Sequence, residues 1–336
     1  MKQLSIIYGG RSTEHDASVK SYENIKEHLD KNKFNIKNTI YVDRNGKLFF
    51  NEKEISFGNL IDNIEKDKVF LINLLHGTEG EDGSWSGIMD IRDIEGSFES
   101  VNTSSILMNK KQQEDIVKSR CSDVLKIQHT ICCKYNDDIE QVIKHIECIK
   151  TEYVVVKPNN MGASHLTEKL RRNDIQNIKK LIYAIHEYDE VALIQEYIQA
   201  EEYTCGVIRK ANEPFVLEVI NVHTTESFLG HKEKHNKGYT EVTFVNNELT
   251  DRIKQVSKRL FEIFGVIGMC RFDFLISGDD IYYLEGNLIP GFSKGSAFPR
   301  MLKQSNMDIN EFIEELIISF KNRKVRNKCL EYNIED

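Results

Sequence analysis

Three residues with oxygen-bearing side chains lie in two consecutive stretches of β-strand character. Asp273 lies in CRFDFLI, and Glu285 and Asn287 lie in DIYYLEGN, with the turn sequence SGDD between the two stretches. Because side chains alternate along a strand, Glu285 and Asn287 share one face. Magnesium prefers oxygen ligands, usually one or two carboxylates completed by phosphate and water. The spacing predicts a site for a magnesium nucleotide; the alternative is that both acids are ordinary exposed strand residues.

A turn of small residues directly follows the second strand. In NLIPGFSKGSAFP, Pro290 and Gly291 fix a tight turn, and Ser293, Lys294 and Ser296 come after it. Backbone N–H groups in such a turn can point into a cleft and bind an oxyanion or a carboxylate. The segment therefore predicts an anion-binding element beside the metal site.

A lysine ends an apolar strand in VVVKPNNMGAS. Lys157 comes last in the strand, Pro158 stops the ladder, and Gly162, Ala163 and Ser164 form a small-residue turn. A point charge beside backbone donors suits a phosphate group. The segment has neither the G-x-x-x-x-G-K-[ST] nor the G-x-G-x-x-G pattern, which disfavours P-loop and Rossmann nucleotide sites.

A third segment, VALIQEYIQAEEYT, passes from an apolar strand at 191–198 into an acid-rich turn. The backbone of such a strand end can form hydrogen bonds with adenine, and a carboxylate just beyond it can hold the ribose hydroxyls. Glu202 is the residue predicted for the ribose. The alternative is a solvated acidic turn.

The N-terminal part alternates strand and helix in the manner of a parallel α/β sheet. Apolar strands are predicted at LSIIYGG and at 69–77, VFLINLLHG, and both run into glycine. The helix after the first strand carries an apolar stripe, namely Val19, Tyr22, Ile25 and Leu29. Ligands of doubly wound sheets collect beyond the carboxyl ends of the strands, so STEH and HGTEGEDG are expected to face one cleft.

The rest of the chain has a different character. Helical stretches of high charge at about 109–150 show no obvious chemistry, and a strand begins again at about 151. A passage rich in β-branched residues after 198 suggests an antiparallel sheet. Residues 229–240 are polar, contain glycine and lack a clear period, which favours a mobile loop. A helix over about 249–264 precedes the strands of the metal site.

Composition limits the class of protein. The 336 residues suggest two or three domains, and no apolar run reaches the roughly 18 residues of a membrane span. The formal net charge of -8, with acids and bases interspersed, argues against a nucleic-acid surface. The 7 cysteines lack a C-x-x-C spacing and suggest reduced thiols. The N-terminus has the pattern of a first strand and not of a signal peptide, so a cytoplasmic protein is expected.

Taken in order, these segments resemble the ATP-grasp superfamily, and most closely the D-alanine:D-alanine ligases, over about residues 4–318. The resemblance rests on GGRSTEHDAS, LLHGTEGEDGSWSG, MNK at 108–110, VVVKPNNMGAS, LIQEYIQAEEYT, the loop around Lys234, RFDF and YLEGNLIPGFSKGSAFP. It implies an α/β ATP-grasp fold, α+β in its central and C-terminal parts, with a doubly wound parallel sheet at the N-terminus. The implied domains are 1–108, 109–203 and 204–325, with a lid at 229–240.

The resemblance also implies roles for matching residues. Contacts to ATP are implied for Lys110, Lys157, Gln195, Glu196, Ile198, Glu202 and Lys234. Two magnesium ions, which manganese could replace, are implied at Asp273, Glu285 and Asn287. Catalytic roles are implied for Glu14, Lys234, His235, Arg271 and the N–H of Gly291. Substrate binding is implied for Glu14, which would hold the first ammonium group, and for His76, Ser296 and Ala297.

The implied reaction joins two small amino acids. A carboxylate attacks the γ-phosphate of ATP, and the amine, or the hydroxyl, of a second substrate displaces phosphate from the acyl phosphate. The expected product is D-alanyl-D-alanine, which would serve the synthesis of peptidoglycan. The enzyme is expected to be a homodimer with no nucleic-acid or membrane partner.

Three departures from the family pattern leave other substrates open. Ala163 replaces a serine, His235 a tyrosine and Lys294 a small residue. One alternative is a ligase that takes D-lactate, D-serine or another second substrate. Another is a dipeptide or amino-acid-conjugate ligase outside cell-wall synthesis. A degenerate nucleotide-binding protein is the alternative from a different class.

Overall fold

The structure, a computed structural model, describes residues 1–224 and 240–322. The helices are α1 His15–His28, α2 Phe57–Asp67, α3 Ser84–Ile91, α4 Val101–Met108, α5 Lys110–Cys121, α6 Ile139–His145, α7 Ile175–His186, α8 Glu248–Ile263, α9 Ala297–Gln304 and α10 Ile309–Lys321, with a 3-10 turn at Ile146–Cys148. The strands are β1 Lys2–Gly9, β2 Phe34–Val42, β3 Leu48–Phe50, β4 Lys53–Ile55, β5 Phe70–Asn73, β6 Thr130–Lys134, β7 Tyr153–Pro158, β8 Glu168–Arg171, β9 Val191–Glu196, β10 Glu201–Lys210, β11 Glu213–Val216, β12 Ile220–Thr224, β13 Thr240–Phe244, β14 Met269–Ser277 and β15 Asp280–Asn287.

The N-terminal sheet has the order β4-β3-β2-β1-β5, and β1 lies parallel to both β2 and β5. Its two faces are both covered: Ile6 packs with Ile25 of α1, whereas Ile7 packs with Leu60 of α2. The predicted parallel α/β sheet with helices on both faces is therefore confirmed. The antiparallel edge formed by β3 and β4 was not predicted.

The second N-terminal strand is shorter than the predicted 69–77. It ends at Asn73, because the Asn73 side chain accepts a hydrogen bond from the N–H of Leu75 (3.0 Å) and donates one to the carbonyl of Gly80 (3.0 Å). The buried residues that follow are thus apolar loop and not strand. This turn carries the chain to the HGTEGEDG segment at the carboxyl end of the sheet.

The central sheet has the order β6-β9-β7-β8 with antiparallel neighbours. Ile194 of β9 and Val154 and Val156 of β7 point to one side and pack with Ile178 and Ile182 of α7. Since side chains alternate, Gln195, Val155 and Lys157 point to the other side. That other side faces the functional cavity.

The C-terminal sheet has the order β13-β12-β10-β14-β15, with β11 attached to β10, and its neighbours are antiparallel. The antiparallel prediction for this region is confirmed. Helix α8 begins at a capping box in which Asn247 and Thr250 bond each other's backbone N–H groups. The pairing of β14 with β15 sets Asp273 opposite Glu285 and Arg271 opposite Asn287.

The hydrophobic clusters do not coincide with the three sheets. One cluster joins N-terminal residues such as Ile6 and Tyr22 to C-terminal residues such as Phe272 and Phe298, whereas the central sheet has its own cluster. Each sheet falls in one predicted domain, except that β10 begins at Glu201, before the predicted start of the third domain. The domain limits stay predictions. In the described parts of the chain, no helix combines the length and apolarity of a membrane span.

Candidate active site

A cavity of about 320 Å³ lies where the central and C-terminal sheets face each other. Val155, Leu275 and Leu284 supply apolar wall, which suits the flat face of a purine. The structure brings to this wall Lys110, Lys157, Gln195, Glu196, Ile198 and Glu202. These are the described residues that the resemblance implied for ATP.

Two lysines reach the cavity from different elements. Lys110 is the first residue of α5, and its Nζ donates to the carbonyl of Met161 at 2.6 Å and lies 3.7 Å from the Glu285 carboxylate. Lys157 lies near the end of β7 and is only 6% exposed. Because both also line the cavity, they give it positive charge close to one carboxylate. Such an arrangement suits the phosphates of a nucleotide.

The turn after β7 is held from two sides. Asn159 accepts hydrogen bonds from the N–H of Lys110 through its carbonyl (3.1 Å) and from the N–H of Lys111 through Oδ1 (2.9 Å). On the other side, a Cβ added to Gly162 would collide with the carboxylate of Glu14. Glu14 therefore lies directly against this turn.

The same turn stores backbone strain. Ala163 and Ser164 each adopt a φ of 52°, in the left-handed region that non-glycine residues seldom occupy. Such conformations cost about 1–3 kcal/mol each and persist where the surroundings impose them. The departure from the family at Ala163 thus falls in a constrained part of the cavity wall.

Three residues of the predicted metal and oxyanion site, Arg271, Asp273 and Asn287, are joined by hydrogen bonds. Arg271 donates to both oxygens of Asp273, from Nε at 2.9 Å and from Nη2 at 2.7 Å, and Asn287 Nδ2 donates to the same carboxylate at 3.1 Å. Thr204 adds a fourth hydrogen bond at 2.6 Å, and Asp273 is 1% exposed. Glu285, by contrast, opens onto the cavity.

The donor set of this cluster fits a hard cation. Two carboxylates and an amide oxygen on paired strand positions are the ligands magnesium prefers. Because four donors already bond Asp273, metal binding there would replace at least one of them. Among the described residues no group of three His, Cys, Asp or Glu side chains is placed to hold a metal ion, and the predicted set has two carboxylates and one asparagine.

Arg271 keeps its positive charge in this environment. Burial opposes the charge, but the carboxylates of Asp273 and Glu285 outweigh that effect and raise the pKa of Arg271 above its usual range. A permanent, fixed cation of this kind can stabilise negative charge that develops in a transition state.

Helix α1 holds the turn that follows β15. Ser21 Oγ accepts a hydrogen bond from the N–H of Phe292 (3.0 Å), and Asn24 Nδ2 donates to the carbonyl of the same residue (2.7 Å). His76 Nε2 lies 3.1 Å from Ser21 Oγ, and His76 is 3% exposed. Burial lowers the pKa of His76 to about 4, against a hydrogen bond to the Ile289 backbone, so the ring is neutral at pH 7. The substrate role of His76 stays a prediction; in the structure it supports this turn.

A second carboxylate accompanies Glu14. Glu81 accepts hydrogen bonds from the N–H groups of Gly77 (2.7 Å) and Ile289 (2.8 Å). Gly77 is also in contact with Glu14, because a Cβ there would lie 2.8 Å from the Glu14 carboxylate. Burial, and then the nearby charge of Glu14, raise the pKa of Glu81 to about 8. Sequence reasoning missed Glu81, although it lies in the glycine-rich segment expected at the cleft.

The predicted anion-binding turn is compact. Ser293 Oγ and Ser296 Oγ lie 2.8 Å apart, and a Cβ on Gly291 would lie 3.1 Å from Ser296 Oγ. Ala297 begins α9, so its N–H is one of the free donors at a helix N-terminus. Lys294 is exposed at the rim of this turn.

Some predicted site residues lie outside the described part of the chain, and some described cavity residues were not predicted. Lys234, His235 and the predicted lid, apart from Thr240, lie outside the described residues. Sequence reasoning also missed the apolar walls Leu275 and Leu284. A signal was available for Leu284, since it adjoins the predicted metal ligand Glu285.

Comparison with known proteins gives consistent matches. Residues 124–318 match the family described as "D-ala D-ala ligase C-terminus", and residues 3–69 match "D-ala D-ala ligase N-terminus". The chain is 29% identical over 329 residues to "D-alanine--D-alanine ligase B" of Clostridium perfringens, with 96% of this chain and 100% of that protein covered.

Solved structures agree in fold. "VanG D-Ala:D-Ser Ligase from Enterococcus faecalis" superposes with a TM-score of 0.77 and 22% identity, covering 95% of this chain and 99% of that one. A "D-alanine--D-Alanine Ligase from Bacillus anthracis complexed with ATP" superposes with a TM-score of 0.75 and 21% identity, covering 96% and 98%. The chain therefore has the fold of the ATP-grasp ligases, as the motifs predicted.

Proposed function

Because the chain belongs to the D-alanine:D-alanine ligase family, we propose that it makes D-alanyl-D-alanine from two D-alanine molecules and ATP. The product would serve the synthesis of peptidoglycan precursors. The family itself was predicted from the motifs, and the family matches confirm that prediction.

One observation carries the proposal. The cavity between the central and C-terminal sheets has apolar walls for a base, two lysines for phosphates and the Asp273–Glu285 pair beside them. The Glu14 carboxylate lies against Gly162 in the turn that follows Lys157. An amino acid held by Glu14 would therefore lie close to the phosphate end of the nucleotide. Proximity of this kind converts a reaction between two anions into a step within one complex.

Each residue has a defined task in the proposed reaction. Lys110 and Lys157 neutralise phosphate charge while the first carboxylate attacks the γ-phosphate. Glu14 holds the first ammonium group, and Ser296 with the N–H of Ala297 holds the second carboxylate. Arg271 and the N–H of Gly291 stabilise the oxyanion that forms when the second amine attacks the acyl phosphate.

Magnesium completes the proposed site. Asp273, Glu285 and Asn287 would hold it, as two ions, and bound magnesium would lower the repulsion between phosphate oxygens and the attacking carboxylate. The oxygen-rich donor set supports this assignment. We also propose, from the resemblance, that the enzyme acts as a homodimer in the cytoplasm, where ATP is supplied.

A ligase with a different second substrate is the second candidate. Ala163 in the strained turn and the exposed cation Lys294 beside Ser293 and Ser296 depart from the family in the neighbourhood of the amino-acid sites. A D-Ala:D-Ser ligase is among the proteins of the same fold. D-Serine, D-lactate and other amino acids are therefore the substrates to compare with D-alanine.

Release of phosphate from ATP, measured over a panel of D- and L-amino acids and D-lactate, tests both candidates. We expect stimulation by D-alanine and a product with the mass of D-alanyl-D-alanine. A mixed product that dominates in competition with D-alanine would establish the second candidate instead. Absence of substrate-stimulated turnover with every panel member would overturn the ligase assignment.

A further inference from the structure

Gln195 points toward the cavity from the central sheet. Its neighbour Ile194 packs into the core behind the sheet, whereas Gln195 lines the cavity with Val155 of the adjacent strand. Gln195 is nevertheless only 2% exposed, so its amide cannot turn freely in solvent. The orientation of that amide is therefore set by the protein.

Two hydrogen-bond acceptors fix the orientation. Gln195 Nε2 donates to Glu114 Oε1 of α5 and to Thr130 Oγ1 of β6 (2.8 Å). The Thr130 hydroxyl donates in turn to the carbonyl of Gln128 at 3.3 Å, which leaves its lone pairs to accept. Burial raises the pKa of Glu114, and the positive charge of Lys157 opposes that effect and favours the ionised carboxylate. An ionised carboxylate can only accept, so the NH₂ of Gln195 faces Glu114. The carbonyl oxygen, Oε1, then points away from both partners.

The burial of Glu114 at this position lowers the stability of the fold. It is 2% exposed, and its second oxygen, Oε2, is buried without a hydrogen-bond partner in the described part of the chain. Burial of an incompletely bonded carboxylate costs stability. A glutamine would carry no charge, but its own NH₂ could donate to Gln195 and so permit the opposite orientation of the Gln195 amide.

We propose that Glu114 is a positioning residue for nucleotide choice: it fixes Gln195 so that Oε1 accepts from the 6-amino group of adenine. A purine with oxygen at ring position 6 would bring an acceptor against an acceptor and is rejected. This inference rests on the proposed use of ATP in this cavity, and it adds a residue of α5 to the determinants of base selection.

Direct binding of nucleotides, without amino acids, tests the inference. Dissociation constants for ATP and inosine triphosphate are measured by calorimetry in the presence of magnesium. We expect the wild-type protein to favour ATP by about tenfold or more, as one misplaced hydrogen bond predicts. In Glu114→Gln the preference should fall by about tenfold, because either amide orientation becomes possible.

The matched control is Asp115→Asn. Asp115 is the next residue of α5, it is exposed, and its carboxylate pairs with Lys111, so this variant removes the same charge without touching Gln195. The ATP preference should be unchanged in Asp115→Asn. If Glu114→Gln does not fold, Thr130→Val removes the other acceptor and should also lower the preference.

The ratio of the two constants separates positioning from general support. The positioning role would be overturned if the ratio of the two dissociation constants is the same in Glu114→Gln as in the wild-type protein, whether or not both nucleotides bind more weakly. Equal binding of both nucleotides by the wild-type protein would overturn the inference while leaving the ligase assignment intact. Binding of neither nucleotide would instead overturn the proposed use of ATP, and this inference with it.

Discussion

Arg271 and Asp273 form a two-point ion pair on one strand, with hydrogen bonds of 2.9 and 2.7 Å between the guanidinium and the two carboxylate oxygens. The proposed oxyanion donor and a proposed metal ligand thus hold each other in place before substrate arrives. A planar guanidinium can bond both oxygens at once, whereas an ammonium cannot.

Replacement of Arg271 by lysine tests the value of that geometry. Arg271→Lys keeps one positive charge but loses the two-point pairing, so kcat should fall by about 10²-fold or more while the KM for ATP changes little. Phosphate release at saturating D-alanine provides the measurement. Arg259→Lys is the control, since Arg259 forms an exposed pair with Asp123. Near-normal kcat in Arg271→Lys would refute the oxyanion assignment.

Glu285→Gln tests the proposed metal site. The side chain is 19% exposed and lies at the cavity, so the substitution should leave the fold intact and lower the rate by about 10²-fold or more. Turnover should be compared over a titration of magnesium. Asp280→Asn, on the same strand and paired with Lys126 at the surface, should behave as wild type. Recovery of full activity at saturating magnesium would show that Glu285 is not an essential ligand.

Gly162→Ala tests the contact between Glu14 and the turn that follows Lys157. The added methyl group would displace the carboxylate of Glu14, which is the far end of a side chain and can shift at small cost. The KM for the first D-alanine should therefore rise about tenfold, with an unchanged melting temperature. Gly58→Ala adds the same methyl group in α2, where nothing lies within 4 Å; it should leave the KM unchanged and, because alanine favours the helix over glycine, should not lower the melting temperature. An unchanged KM in Gly162→Ala would contradict the proposal that Glu14 binds the first substrate.

The raised pKa of Glu81 predicts a pH dependence of stability. The folded protein holds this proton up to a pKa of about 8, whereas the unfolded chain releases it near the ordinary value of 4.5. The proton therefore stabilises the fold fully below the unfolded pKa. That stabilisation is lost as pH rises toward 8, by at most about 1.4 kcal/mol per pH unit.

Glu81→Gln cannot lose a proton and should remove this slope. Its stability will start lower, because an amide offers one acceptor to the two N–H groups that Glu81 now accepts from. Urea unfolding of the magnesium-free protein at several pH values between about 5 and 8 measures the difference in slope. Glu54→Gln, which alters an exposed acid, should keep the wild-type slope. Parallel slopes for wild type and Glu81→Gln would contradict the assignment.

The sequence predicted those parts of the fold that local pattern controls. The alternation in β14 and β15 placed Asp273, Glu285 and Asn287 correctly as neighbours, since strand pairing across a short turn leaves few alternatives. Strand β5 was predicted too long because its apolar pattern continues, and only the side-chain hydrogen bonds of Asn73 end the ladder.

Contacts between distant segments could not be predicted from local pattern. Glu114 lies in a stretch of high charge that showed no chemistry in the sequence, and only the packing of α5 on the central sheet brings it to Gln195. Glu81 likewise acquires its meaning from Ile289, far along the chain. In both cases the signal is burial of a carboxylate, which depends on tertiary structure.

The division of the hydrophobic cores has a consequence for hydrogen exchange. Amide hydrogens of β1, β10 and β14 lie over one shared core and should become protected as a single cooperative unit, while those of β7 and β9 form a second unit. A nucleotide in the cavity would touch both units and so slow the opening of the less stable one. Deuterium uptake would then report on nucleotide occupancy strand by strand.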